Sequence, residues 1–194
     1  MTFKDLSLSE ELLRALDERG YQNPTPIQEQ AIPYVLMARD LLGCAQTGTG
    51  KTASFVLPMI DILDQGRARM RMPRSLILEP TRELAAQVAE NFDLYGKYHK
   101  LTKALLIGGV TFGEQDKLLD RGVDVLIATP GRLLDHFERG NVLLNDVKIL
   151  VIDEADRMLD MGFADEIDAI LGFLPTPRQN LLFSATFPLS LIHI

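Results

Sequence analysis

A chain of 194 residues, 46% hydrophobic and 24% charged, has the size and composition of one large globular domain rather than a disordered or fibrous segment. One cysteine, Cys44, excludes an internal disulfide and a multi-cysteine zinc site. The apolar runs at 104–107 and 149–152 are far too short to span a bilayer, and no apolar signal core follows Met1; a cytoplasmic protein without membrane attachment is expected.

The first helical pattern opens with Ser7 and Glu10 at capping-box spacing and continues through Leu12, Leu13 and Leu16. The second opens at Thr25-Pro26, with threonine as N-cap and proline at the first helical position. Short apolar runs then alternate with helical periodicity. Strands are predicted over 41–45, 75–79, 103–107, 123–128, 148–153 and 180–184, and helices over 51–63, 82–98, 113–119, 131–139 and 165–172. The strands are rich in Leu, Ile and Val with little alternation, so the expected fold class is α/β, a mostly parallel sheet with helices on both faces. Cys44 is expected to pack within the first strand. Arg67, Arg69, Arg71 and Arg74 form the most basic stretch and read most simply as a solvated loop. His99, His136 and His193 are too scattered for a metal site.

The segment Ala45-Gln46-Thr47-Gly48-Thr49-Gly50-Lys51-Thr52 follows a strand and leads into a helix. It fits the phosphate-binding pattern GxxxxGK[ST], with alanine replacing the first glycine. Glycines let backbone N–H groups converge on a phosphate, and the helix N-terminus adds its positive end. Lys51 would reach the β- and γ-phosphates, and the Thr52 hydroxyl would ligate magnesium. A carboxylate for the metal is supplied where the apolar strand 149–152 ends in Asp153-Glu154. Ligands of parallel sheets sit at the carboxyl ends of strands, so both acids would project towards the phosphate loop. Asp153 is then the magnesium-side carboxylate, and Glu154 can orient and deprotonate an attacking water. The competing expectation is that the two acids merely cap the next turn. No Asn-Lys-x-Asp guanine reader is present, so ATP is favoured over GTP.

Asp153-Glu154-Ala155-Asp156 spells DEAD, and residues 3 to 188 resemble the DEAD-box RNA helicases in motif order and spacing. Residues 20–28, Gly-Tyr-Gln-Asn-Pro-Thr-Pro-Ile-Gln, resemble the adenine-recognising Q motif, with Phe3 as the upstream aromatic. Residues 80–85 resemble motif Ia, Gly108-Gly109 the glycine doublet, 129–132 motif Ib and 184–186 motif III. The resemblance implies a RecA-like P-loop NTPase domain, with a Q-motif region at 1–28 forming one unit with an ATP-binding domain at 29–188. It also implies a second RecA-like domain, because motifs IV to VI and the arginine that touches the γ-phosphate have no counterpart here. The last six residues, 189–194, are expected to be a foreign tail, and the compact N-terminus suggests a bacterial RhlE-like origin.

The resemblance further assigns ATP binding to Phe3, Tyr21, Thr25, Gln28, Gln46, Thr47, Gly48, Thr49, Gly50, Lys51 and Thr52, with ADP or AMP as bound product or analogue. Gln28 would read the adenine edge, Phe3 would stack on the ring, and Thr25 would support the phosphate loop. Asp156 would be tied to Ser184 and Thr186, coupling nucleotide to RNA. Pro80, Thr81, Arg82, Gly109, Thr129, Pro130, Gly131 and Arg132 would hold an RNA backbone. Simpler roles compete with these. Gln28 stands three residues after Thr25 and could only satisfy the helix N-terminus; Thr81 and Thr129 could be only N-caps. The net charge of −7 weighs against a nucleic-acid partner. Capped helix N-termini, however, are themselves anion sites, and a few of them with two arginines can hold a strand without a basic face. The implied activity is ATP-driven RNA duplex unwinding by closure of two domains. A DNA-acting motor and a non-catalytic nucleotide-binding module are the alternatives.

Overall fold

Six strands pair in parallel in the computed structural model, which describes residues 1–187; the expected tail at 189–194, with His193, lies outside the described residues. The strands are β1 (Leu41–Cys44), β2 (Ser75–Leu78), β3 (Lys103–Leu106), β4 (Val125–Ala128), β5 (Ile149–Ile152) and β6 (Gln179–Ser184), arranged β1-β6-β5-β2-β4-β3 across the sheet. The helices are α1 (Glu10–Glu18), α2 (Pro26–Leu36), α3 (Lys51–Leu63), α4 (Arg82–Tyr95), α5 (Phe112–Asp120), α6 (Pro130–Glu138), α7 (Ala155–Asp160) and α8 (Ala164–Phe173). None of the described helices is long and apolar enough to cross a membrane.

Because successive side chains of a strand point to opposite faces, the apolar runs divide into two cores. Ile77, Val151, Leu181 and Phe183 face one side and pack with Phe55, Met59 and Ile60 of α3 and Val88 and Phe92 of α4. Leu76, Leu78, Leu126, Leu150 and Ile152 face the other and pack with Leu133 of α6, Met158 of α7 and Ile167 and Ile170 of α8. Each fully buried side chain of this kind contributes about 1.5–3 kcal/mol. Covering on both faces is why the central strands read as continuous apolar runs.

Two local expectations are corrected. Ser7 does not cap α1: it is left-handed (φ 60°) and ends a 3₁₀ turn, Phe3–Leu6, that lacks a periodic signature. Ser9 is the cap, its hydroxyl accepting from the Leu12 N–H at 3.3 Å. Cys44 is exposed rather than packed, because β1 is an edge strand with one open face; its Sγ lies 3.5 Å from the Ala185 carbonyl oxygen.

Candidate nucleotide site

The loop joining β1 to α3 turns on two glycines with positive φ, Gly48 at 84° and Gly50 at 79°, a conformation that a side chain would strain. Gly50 also admits the first turn of α2. A Cβ there would stand 2.5 Å from Gln28 Nε2 and 3.1 Å from Thr25 Oγ1. Gln28 Nε2 donates to the Gly50 carbonyl at 2.9 Å, while its Oε1 accepts from the Thr25 N–H at 3.0 Å. Gln28 therefore does cap α2, and the same amide also holds the phosphate loop. The Thr25 hydroxyl is buried without a partner. Thr49 Oγ1 donates to the Gln46 carbonyl at 2.7 Å, and Gln46, Thr47, Gly48 and Thr49 form an exposed lip.

Behind that lip Lys51, only 6% exposed, places Nζ 3.1 Å from Asp153 Oδ1 and hydrogen-bonds Glu154 Oε1. Burial alone would lower the lysine pKa, but the two carboxylates outweigh it and hold the ammonium above its ordinary value. Asp153 Oδ1 also accepts from the Glu154 N–H at 3.0 Å. Glu154 adopts a left-handed conformation (φ 54°) and its side chain makes no capping bond to α7; it turns to Lys51 instead, so capping is not its role. A cleft of about 270 Å³ runs along these groups, with Thr47, Gly48, Thr52 and a further acid, Glu79, in its wall.

Glu79 belongs to no motif, and in the sequence it only ends a predicted strand. It is fully buried, and neither carboxylate oxygen has a hydrogen-bond donor. Burial first, and the neighbouring Asp153 second, push its carboxyl well above the ordinary carboxylate range. Among the described residues, no three acidic, histidine or cysteine side chains form a direct metal cage. Magnesium does not need one, because it binds through one or two carboxylates, phosphate oxygens and retained waters. Asp153, the Thr52 hydroxyl and the unpartnered acid beside them suit that ion.

The structure brings Asp156, Ser184 and Thr186 together. The Asp156 N–H donates to Ser184 Oγ at 3.0 Å, and Thr186 donates to Asp156 Oδ2 through its hydroxyl at 3.0 Å and its N–H at 3.2 Å. Burial would raise the Asp156 pKa, but the hydrogen bonds from these partners lower it overall. Phe3 is 5% exposed and its ring lies in the core, so it offers little face to a ligand here; Tyr21 is exposed.

The residues assigned to RNA gather at the carboxyl ends of the adjacent strands β2, β4 and β3. Thr81 caps α4, its hydroxyl accepting from the Leu84 N–H at 3.2 Å, whereas Thr129 stands at the N-cap of α6 without a side-chain capping bond. Gly109 (φ 86°) lies against Arg82, whose Nη1 would be 2.8 Å from a Cβ at that position. Gly131 is half-buried, while Pro80 and Pro130 are buried and can present little but backbone. Arg132 is engaged within the protein: its guanidinium bonds Gln115 Oε1 and the Val110 carbonyl and stacks on Phe112 at 3.5 Å. The arginine run is partly spent on structure as well, since Arg74 pairs with Asp124 and Arg71 with Asp120.

A Ser9–His99–Asp61 grouping has no relay geometry. His99 Nε2 faces both Ser9 Oγ (3.4 Å) and Asp61 Oδ1 (3.5 Å), leaving Nδ1 unpartnered, whereas a nucleophile relay uses one nitrogen for each partner.

The DEAD/DEAH box helicase family model matches residues 25–193. The chain is 44% identical over 189 residues to the ATP-dependent RNA helicase DeaD of Haemophilus influenzae, covering 97% of this chain and 30% of that protein. It is 46% identical over 188 residues to the ATP-dependent RNA helicase CshA of Limosilactobacillus reuteri, covering 97% of this chain and 37% of that protein. A crystal structure of a DEAD box protein from the hyperthermophile Methanococcus jannaschii superposes with a TM-score of 0.93 at 38% identity, covering 100% of this chain and 52% of that one. The fold is thus the RecA-like α/β domain of such proteins, and the chain spans about a third of the length of the curated relatives it matches. These relatives carry DeaD and CshA names and lend no support to the RhlE-like origin. With its family model, its relatives and its fold in agreement, the chain belongs to the DEAD/DEAH box helicase family.

Proposed function

We propose that this chain is the ATP-binding part of an RNA helicase, which binds and hydrolyses ATP to separate RNA strands together with a second RecA-like domain. The observation that carries this reading is Lys51 Nζ, buried at the mouth of a glycine-turned loop between Asp153 and Glu154. A phosphate entering the loop competes for that ammonium and frees the two acids. Glu154 is then placed to orient the attacking water and take its proton. Magnesium, held by Asp153 and the Thr52 hydroxyl, would neutralise charge on the phosphates. The Asp156–Ser184–Thr186 knot ties the start of α7 to the end of β6 and offers a route from nucleotide to RNA.

The RNA side is supported by the N-termini of α4 and α6, whose free N–H groups favour an anion, and by exposed Arg82 beside Gly109. Such contacts hold a backbone without reading bases. In this reading the protein works in the cytoplasm, Q-motif residues 1–28 move as one unit with 29–188, and ADP or AMP can occupy the same site. Calorimetric titration of ADP tests it: Lys51→Ala should weaken binding by at least about tenfold, given the loss of a buried charge-assisted bond worth about 1.5–3 kcal/mol. Undiminished affinity in that variant would place the nucleotide elsewhere.

A further inference from the structure

We infer that Glu79 is a second acidic residue of the magnesium–nucleotide site, holding the metal's water shell from β2 while Asp153 holds it from β5. The inference rests on the nucleotide reading above and extends it to a residue that the motifs leave out.

Strand register carries it. In the β2–β5 ladder Ser75 stands opposite Ile149 and Ile77 opposite Val151. The ladders continue beyond the formal strand ends, with the Asp153 N–H donating to the Leu78 carbonyl at 3.1 Å and the Glu79 N–H to the Ala128 carbonyl at 3.0 Å. The next pair in register is therefore Glu79 opposite Asp153. Side chains two apart share a face, so Glu79 follows Ile77 and Asp153 follows Val151 onto the side covered by α3, the helix that begins at Lys51. Two carboxyl groups thus sit side by side on adjacent strands, about 4.8 Å apart in backbone spacing, at the end of the sheet that faces the phosphate loop.

Packing does not account for an acid there. Glu79 is 0% exposed, both of its oxygens lack a donor, and it lines the cleft shared by Thr52 and Asp153. A buried polar group without a partner is retained at a cost that leucine would avoid. The cleft brings Glu79, Asp153 and Glu154 together with a single lysine, an excess of acid that suits a divalent cation. Magnesium keeps several of its waters, and paired acids on neighbouring strands can accept hydrogen bonds from those waters without displacing them. Partners in that outer shell usually change metal affinity by about 10–100-fold when removed.

The test separates metal from nucleotide. ADP is titrated calorimetrically into the chain and into Glu79→Gln in EDTA, and Mn²⁺ is then titrated into each ADP complex and followed by electron paramagnetic resonance. The expected result is ADP affinity in EDTA within about twofold of the unmodified chain and Mn²⁺ affinity lowered by about tenfold or more. Glu79→Asp, which restores a carboxylate, should recover part of that loss. If Glu79→Gln does not fold, Glu79→Ala decides on the same two titrations. Equal Mn²⁺ affinity in the variant and the unmodified chain, with ADP bound by both, overturns the role of Glu79 alone. Failure of the unmodified chain to bind ADP overturns the nucleotide reading itself.

Discussion

Gln28 uses both ends of one amide, and each end belongs to a different function. Its Oε1 closes the N-terminus of α2 on the Thr25 N–H, and its Nε2 holds the Gly50 carbonyl of the phosphate loop. Each end keeps one hydrogen-bonding position in reserve, a lone pair on Oε1 and a hydrogen on Nε2, with which the amide could read an adenine edge. Gln28→Ala should therefore destabilise the fold by about 0.5–2 kcal/mol, as for a lost cap, and also reduce the preference for ADP over GDP. Melting temperature and the ADP/GDP affinity ratio, measured together, check this; a lower melting temperature with the ratio intact leaves Gln28 as a cap only. At this scale the sequence exposed Lys51, Asp153 and Glu154, because a phosphate loop followed by an acid-ended strand leaves little choice of residue type. It concealed Glu79, because one acid after an apolar run looks like any strand end until the register of its neighbours is known. Ser7 misled for a similar reason: its spacing from Glu10 satisfies a capping box, but its backbone turns left-handed and Ser9 takes the role.

Among the elements, the short apolar strands and the amphipathic helices were legible to within a few residues, since burial on one or both faces writes a pattern into the chain. The six-residue α7 was not, being too short to show one. Edge position was also hidden: β1 has the apolar composition of a central strand but borders β6 alone. The contact that seats β1 runs through Gly43, where a Cβ would stand 2.7 and 2.8 Å from the Phe183 ring. That ring is fully buried and packs against Phe55 of α3 with centroids 5.3 Å apart, so it has little room to yield. Gly43→Ala should cost about 1–3 kcal/mol by overpacking. Because β1 feeds directly into the phosphate loop, ADP affinity should fall with it. Urea denaturation and an ADP titration read the two effects, and unchanged stability would mean that Phe183 moves aside freely.

For the whole molecule, the question is how much chemistry one RecA-like domain can perform. Charge developing on a transferred γ-phosphoryl group spreads over several oxygens and needs positive partners around it. Among the described residues lining the cleft, Lys51 is the single cation, and it approaches from one side. The relatives are about three times as long, which leaves room for a second domain to bring an arginine to the other side. An arginine finger is worth on the order of 10³–10⁵ in rate. Residues 1–194 alone should consequently bind ADP while hydrolysing ATP hardly at all. In the proposed reading the N-termini of α4 and α6 hold only part of an RNA strand and a second domain closes on it, so single-stranded RNA should not accelerate residues 1–194 alone. A steady-state phosphate-release assay with and without RNA, with Glu154→Gln as the blank, measures this. Robust RNA-stimulated turnover that disappears in the blank would show that Lys51, Asp153 and Glu154 suffice without a partner domain.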